Sequence, residues 1–309
     1  MARHLSNTWT AFAAAAAVVA FSAGCSATPA PGTPGSPATG PTGSPYDVLL
    51  GDKVGLIDYA EQRLRNACMT AAGYPQNQQA ALGSKPGSLF GDLAITAATF
   101  GSATEDDARR LGFGADDPGE PARIISFDPN YDTALDRCER AAYDKVGAAA
   151  QKTLTSYNDL LNQLMAYRGQ VTDQLPKDNP AKTLTCMDGK GFHIPDRDAF
   201  LAHPGPDLYG VQGGVLDPAP ETTWEPRHVP GTVQVGPAIP ARKYHPSSQE
   251  SALAVAWYQC GNETGRVPQE ITIARALQQQ YVDKYQTQIE ELNPKIEALA
   301  RSAATLAGN

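Results

Sequence analysis

Two seven-residue segments, Cys68-Met-Thr-Ala-Ala-Gly-Tyr74 and Cys186-Met-Asp-Gly-Lys-Gly-Phe192, share the pattern C-M-x-x-x-G-aromatic. This repetition constrains the fold more than any other feature of the chain. Of four methionines, one initiates the chain and two of the other three follow these cysteines. Each segment has a second cysteine at a similar interval: Cys138 lies 70 residues after Cys68, and Cys260 lies 74 after Cys186. Both second cysteines sit in helix-favouring sequence, ALDRCERAAYDKV and ALAVAWYQCGNETG, and a long helical pattern follows each. The body therefore reads as an internal duplication. Four cysteines allow three pairings; a unit that carries its own bridge in each copy selects Cys68–Cys138 and Cys186–Cys260. In the chain-entropy model a loop of this length gives a cross-link about 4 kcal/mol of stabilisation. A thiol metal site is the competing use, but the second segment has no C-x-x-C partner.

Gly73 and Gly191 each fall where a helix needs a left-handed cap, which glycine adopts without steric cost. The aromatic residue behind each glycine is expected to fold back on the helix end. Apolar spacing predicts a helix from about Val54 to Ala72 and a short one from Thr104 to Leu111, opened by the acidic turn Glu105-Asp106-Asp107. A longer pattern runs from Asn130 past Cys138 towards Leu175, with Gly147 and Gly169 as weak points. Its counterpart spans about Ser248 to Leu306, broken near Gly261-Asn262 or Gly265, with Pro294 expected to kink or restart it and Asn293 to cap the restart. These long helices either wrap the core or project as a hairpin, and packing is the favoured reading. His203 to Pro246 is rich in Pro and Gly, with short β-favouring pieces such as Thr232–Val235; Ala122–Phe127 is another. The fold class is mainly α: two repeated disulfide-stapled helical units, at 46–165 and 166–309, with long amphipathic helices and a loop region holding at most a few short strands.

The fifth cysteine, Cys25, ends the run Ser22-Ala23-Gly24-Cys25 behind an apolar stretch from Trp9 to Phe21. Thirteen residues are too few to cross a hydrocarbon layer, which needs about 20, but suit a secretory leader. The run resembles a bacterial lipoprotein signal, although Ser22 stands where an aliphatic residue is usual. That resemblance implies cleavage after residue 24 and acylation of Cys25, so that residues 1–24 are a signal peptide. Ordinary cleavage that leaves a free thiol is the plainer alternative. Residues 25–45 then form a lipidated, disordered tether: Ser26 to Pro45 has six prolines, four glycines, no charge and no large apolar residue. Fully extended, such a segment reaches roughly 60 Å at about 3.1 Å per residue.

The chain carries 25 Lys+Arg against 33 Asp+Glu; without Arg3 the balance is 24 against 33, a net charge of −9. An acidic body has no electrostatic footprint for nucleic acid. The segment Glu250-Ser-Ala-Leu-Ala-Val-Ala-Trp-Tyr-Gln-Cys260, followed by Glu263-Thr-Gly265 and a Gln-rich helix, together with the C-M-x-x-x-G-aromatic motif, is similar to an uncharacterised group of actinobacterial surface lipoproteins. Trp257 stands where that group usually has aspartate. The resemblance implies localisation and fold and carries no activity.

No G-x-S-x-G, H-E-x-x-H, S-x-x-K, Walker or dinucleotide-binding motif is present. His193, His203, His228 and His245 all lie between Cys186 and Cys260, near Asp196, Asp198 and Asp207, and form the candidate set for a zinc or copper site. No pair has i, i+4 spacing, and polar loop histidines are the plainer reading. Asp116-Asp117 and the 105–107 cluster lack the D-x-D-x-D-G calcium register and read as helix caps and a solvated face. Tyr209, Trp224, Tyr244 and Trp257 are candidates to line a carbohydrate or peptide groove, or else to cover the loop region. No cofactor is implied. The expected protein is a non-catalytic lipoprotein on the extracytoplasmic face of the cell membrane. It would be held to the bilayer through Cys25 and bind an envelope protein or cell-wall polymer. A ligand-binding component of a transporter or sensor is the alternative, and an envelope hydrolase the more distant one.

Overall fold

The computed structural model describes residues 43–79, 93–221 and 224–307. The leader, Cys25 and nearly all of the tether lie outside the described residues. In chain order the helices are α1 (Gly51–Ala71), α2 (Glu105–Leu111), α3 (Tyr131–Val146), α4 (Ala150–Leu164) and α5 (Asn179–Gly189). They continue as α6 (Arg197–Ala202), α7 (Ser248–Glu263), α8 (Arg266–Lys284) and α9 (Gln286–Ala307). Strands β1 (Ile124–Ser126) and β3 (Val233–Val235) pair antiparallel, as do β2 (Val215–Leu216) and β4 (Tyr244–His245). The fold is mainly helical, and two disulfides link helices: Cys68–Cys138 joins α1 to α3, and Cys186–Cys260 joins α5 to α7.

The two cross-linked units agree position by position. Met69 and Met187, each following the first cysteine, are fully buried. Seven residues before the second cysteine stand buried Tyr131 and Leu253, and four before it buried Ala134 and Ala256. Each set forms its own small apolar cluster with its disulfide. The helix ends match as well. Gly73 and Gly191 adopt φ of +96° and +86°. The next N–H then reaches back to the methionine carbonyl, Tyr74 to Met69 at 2.9 Å and Phe192 to Met187 at 3.0 Å. This is the left-handed cap that satisfies a carbonyl the helix leaves open. Tyr74 then packs edge-on against Tyr131 at 5.1 Å, and Phe192 against Tyr209 at 6.5 Å. One apolar residue thus plugs each cross-link and one aromatic seals it.

The larger core is shared by both halves of the chain. Ile57 and Ala60 of α1 meet Tyr157, Leu160 and Leu164 of α4, Ala274 and Leu277 of α8, and Ile296 and Ala303 of α9. The long helices therefore wrap this core. The expected 130–175 helix divides at Gly147, where an added Cβ would lie 2.7 Å from the Leu299 side chain. A side chain there would have to displace the end of Leu299, so α9 approaches closely at this point. Past the break the buried face moves by one residue, so Ala150 and Leu160 are buried while Ala149 is exposed. The carboxy-terminal pattern breaks at Gly265, left-handed at φ +75°, and again at Tyr285. Pro294 neither stops nor restarts a helix, because α9 runs through it. Asn293 is not a cap: its amide donates to the Val48 carbonyl at 3.0 Å and accepts from the Tyr157 hydroxyl at 3.2 Å.

That asparagine belongs to a clamp on the first described residues. Tyr46 is buried, donates its hydroxyl to the Leu164 carbonyl and stands edge-on to Tyr167 at 6.0 Å. The Leu50 N–H reaches the Tyr157 hydroxyl at 2.9 Å. The chain is therefore held firmly from Tyr46 onwards, and Gly43–Asn309 forms one compact unit.

Glu61 is a buried carboxylate in this core. It lies seven residues before Cys68, and its counterpart seven before Cys186 is the equally buried Asn179. Burial pushes Glu61 up to about 7 from 4.5; Arg65, at 3.4 Å, opposes the rise, while Glu139 and Asp58 add to it. The folded state holds this proton more tightly than the unfolded chain does. Its contribution is therefore fully present below about pH 4.5 and is lost as pH rises through 7, a swing of about 3 kcal/mol at most. Urea denaturation at pH 5 and pH 8 should show Glu61→Gln stabilised relative to wild type at the higher pH only; an equal difference at both pH values would contradict the assignment.

Candidate functional site

The site is built where α2 is pinned to α7. Thr104 caps α2, its Oγ1 accepting the Asp107 N–H at 3.0 Å, and the three acids of the first turn suit the positive end of the helix. The helix ends at Gly112, whose φ of +57° turns the chain so that Phe113 follows as an exposed residue, 44% accessible. Ser247 caps α7 in the same manner, accepting the Glu250 N–H at 3.0 Å. The Glu250 carboxylate, however, points into the body and is buried. Its Oε1 accepts the Phe113 N–H at 2.9 Å and its Oε2 the Gly214 N–H at 2.6 Å, while the Tyr244 hydroxyl lies 3.1 and 2.9 Å from the two oxygens. Burial, followed by the hydrogen bond to Glu250, raises the Tyr244 pKa. No ion pair to Glu250 forms among the described residues, so neutral donors alone satisfy this carboxylate. A Cβ on Gly112 would lie 2.6 Å from Glu250 Oε1, and one on Gly114 would enter the Tyr244 ring. The sequence Gly-Phe-Gly is thus the shape that this carboxylate requires.

Neighbouring contacts hold the same wall. Arg242 forks onto Asp117 Oδ2 at 2.7 and 3.1 Å and holds that carboxyl below its usual range. The Tyr244 N–H donates to Asp116 at 2.8 Å. Gln259 of α7 donates to Glu105 at 3.1 Å, and the Ser251 hydroxyl to the Arg109 carbonyl at 2.6 Å.

Above this wall lies a cleft of about 630 Å³, in the size range of small-ligand sites. Four aromatic residues line it: Phe100 from the turn at 97–100, Phe113, and Trp257 and Tyr258 of α7. Asn262, Arg266 and the segment Gly101-Ser102-Ala103 supply polar groups. The Arg266 guanidinium lies over the Trp257 ring at 5.0 Å, and Nη1 meets both Glu270 oxygens at 3.0 Å. Phe200 stands edge-on to Trp257 at 6.2 Å, which fixes the indole from below. Among the described residues neither histidine nor cysteine lines the cleft. The arrangement offers aromatic surface and hydrogen-bonding groups.

The groove candidates separate. Trp257 lines the cleft, Tyr209 packs behind it against Phe200 at 6.0 Å, and Tyr244 serves the Glu250 node. Trp224 lies elsewhere, against Gly236. The four histidines are dispersed. His193 pairs with Asp188 at 3.0 Å, His245 with Asp217 at 2.8 Å, His228 stands edge-on to Phe127 at 4.8 Å, and His203 is the exposed residue that ends α6. Asp196 caps α6 by accepting the Ala199 N–H at 2.9 Å. Among the described residues no group of three or more His, Cys, Asp or Glu side chains is placed to hold a metal ion, and no helix is long and apolar enough to cross a membrane. Phe100 and Phe113 carried no periodic signal. The usable clue was Gly-Phe-Gly, an exposed aromatic between two glycines.

Comparison with known proteins returned no matching family model, no matching curated protein and no matching solved structure.

Glu250→Ala leaves three donors without their acceptor and should cost about 2–4 kcal/mol. Gly112→Ala should also destabilise, because it combines positive φ with the contact on Glu250. Chemical denaturation checks both. A loss below about 0.5 kcal/mol for either variant, the range of an ordinary surface substitution, would remove Glu250 as the node.

Proposed function

We propose that the chain is a membrane-anchored extracytoplasmic lipoprotein, non-catalytic, that holds an envelope partner or polymer in the aromatic cleft. The division of its five cysteines carries this reading. Four are used in the two bridges, which suit an oxidising compartment. Cys25 alone is left over, at the end of an apolar leader and before a Pro-rich spacer. An acyl-modified Cys25 would insert two or three chains, and a second chain is what turns marginal membrane binding into firm anchoring. The clamp at Tyr46 supports the same reading, since a tether that ends on a fixed point carries the body as one piece.

Substrate-binding components of transporters usually have two α/β lobes, whereas the sheets among the described residues are two-stranded antiparallel pairs. A hydrolase reading lacks support in the cleft, where no histidine lies beside a carboxylate among the described residues.

Membrane fractionation of cells that express the full chain tests the anchor. Wild type should partition with the membrane and resist salt extraction, and Cys25→Ala should move to the soluble or secreted fraction. Retention of Cys25→Ala in the membrane, or a soluble wild type, would refute the anchored reading.

A further inference from the structure

We propose that the cleft beside Phe113 and Trp257 is a binding site for a neutral oligosaccharide of two or three sugar rings, a deepening that rests on the envelope-polymer reading above. Three observations select that chemistry. First, the exposed surface is aromatic but not enclosed. Phe113 is 44% exposed on one wall, and Tyr258 lines the other beside Trp257, whose ring carries the Arg266 guanidinium at 5.0 Å and the edge of Phe200 at 6.2 Å. Flat apolar ring faces suit the C–H faces of sugars, whereas an acyl chain calls for a closed apolar cavity. Second, Arg266, the cation that lines the wall among the described residues, is already matched. It meets Glu270 at 3.0 Å and is stacked on Trp257 at 5.0 Å, and Asp107 at the rim is met by Arg110 at 3.5 Å. Among the described residues that line the cleft, an acidic or phosphorylated ligand would find no unmatched cation. Third, the floor offers unoccupied hydrogen-bonding groups. The backbone of Gly101, Ser102 and Ala103 makes no hydrogen bond among the described residues and is open to solvent. Asn262 has one amide hydrogen engaged, by the Tyr258 carbonyl at 2.9 Å, which leaves the rest of the amide for a hydroxyl. Unpaired donors and acceptors between aromatic walls match a ligand that presents hydroxyls around a flat ring.

The Glu250 node gives the site its rigidity. It fixes the Phe113 backbone against α7, so the two aromatic walls are set before a ligand arrives and less ordering is needed on binding.

The test uses the full chain extracted in a detergent without a sugar headgroup. Calorimetric and saturation-transfer titrations are run with chitotriose, maltotriose and mannotriose, and with a Pro-rich peptide as the alternative occupant. Phe113→Ala removes an exposed ring and leaves the core intact; Trp224→Ala is the control for an aromatic outside the cleft. At least one trisaccharide should bind saturably, at least 10-fold more weakly to Phe113→Ala and unchanged with Trp224→Ala. Three results overturn the proposal: no trisaccharide binds; binding is indifferent to Phe113→Ala; or the peptide alone binds in a Phe113-dependent way. Retention on isolated cell walls separates this failure from that of the wider reading. Phe113-dependent retention without trisaccharide binding sinks the sugar and leaves envelope binding standing, and retention that ignores Phe113 sinks both.

Discussion

Each half of this chain depends on one covalent constraint and the apolar plug behind it. A disulfide between two helices fixes a distance at one point, Cα to Cα 5.5 Å for Cys68–Cys138 and 5.7 Å for Cys186–Cys260, but not their rotation about it. The methionine next to each first cysteine supplies what is missing, because its flexible thioether fills the space behind the bridge. The left-handed glycine then turns the chain so that an aromatic residue covers the plug from the other side. Cysteine, methionine, glycine and aromatic residue therefore form a single mechanical device, and it is used twice.

Two such units would remain separate bodies without the contacts between halves. The apolar core that α1 and α4 share with α8 and α9 joins them, and a set of polar contacts around the wall of the cleft adds to it. β1 from the first half pairs with β3 from the second, Asp117 is forked by Arg242, and Glu250 gathers N–H groups from residues 113 and 214. Glu250 is the most demanding of them, since a buried carboxylate without a cation tolerates few alternatives to its three neutral donors. Its need for space also explains the glycine at 112. The cleft is thus a product of how the halves meet, and its aromatic residues come from segments 150 residues apart in the chain.

This origin accounts for what was legible in the sequence. The repeat units were readable because their signal is local: Cys68-Met69 with Gly73 and Tyr74 spells out helix, anchor and cap within seven residues. The bridge pairing followed from the repetition, and strands near Ala122–Phe127 and Thr232–Val235 were visible from composition. The restart expected at Pro294 does not occur, because a single proline weakens a helix by about 3 kcal/mol yet tertiary packing can exceed that. Here Ile289, Leu292, Ile296 and Ala300 are buried on both sides of it. The break at Gly147 was anticipated as a weak point, but its reason, the approach of Leu299, is a long-range contact that no local pattern encodes. The cleft was the least legible part. Trp257 was singled out, but Phe100 and Phe113 come from irregular segments, where an aromatic residue gives no period to read.

The central claim is that the sulfurs divide four and one, two bridges inside a doubled helical core and one cysteine at the mature start. Mass spectrometry of the membrane-extracted protein, digested without reduction, tests it most directly. The account predicts linked peptides Cys68–Cys138 and Cys186–Cys260, together with an amino-terminal peptide that begins at Cys25 and carries acyl mass. Peptides linking Cys68 or Cys138 to Cys186 or Cys260, or Cys25 found inside a disulfide, would contradict it.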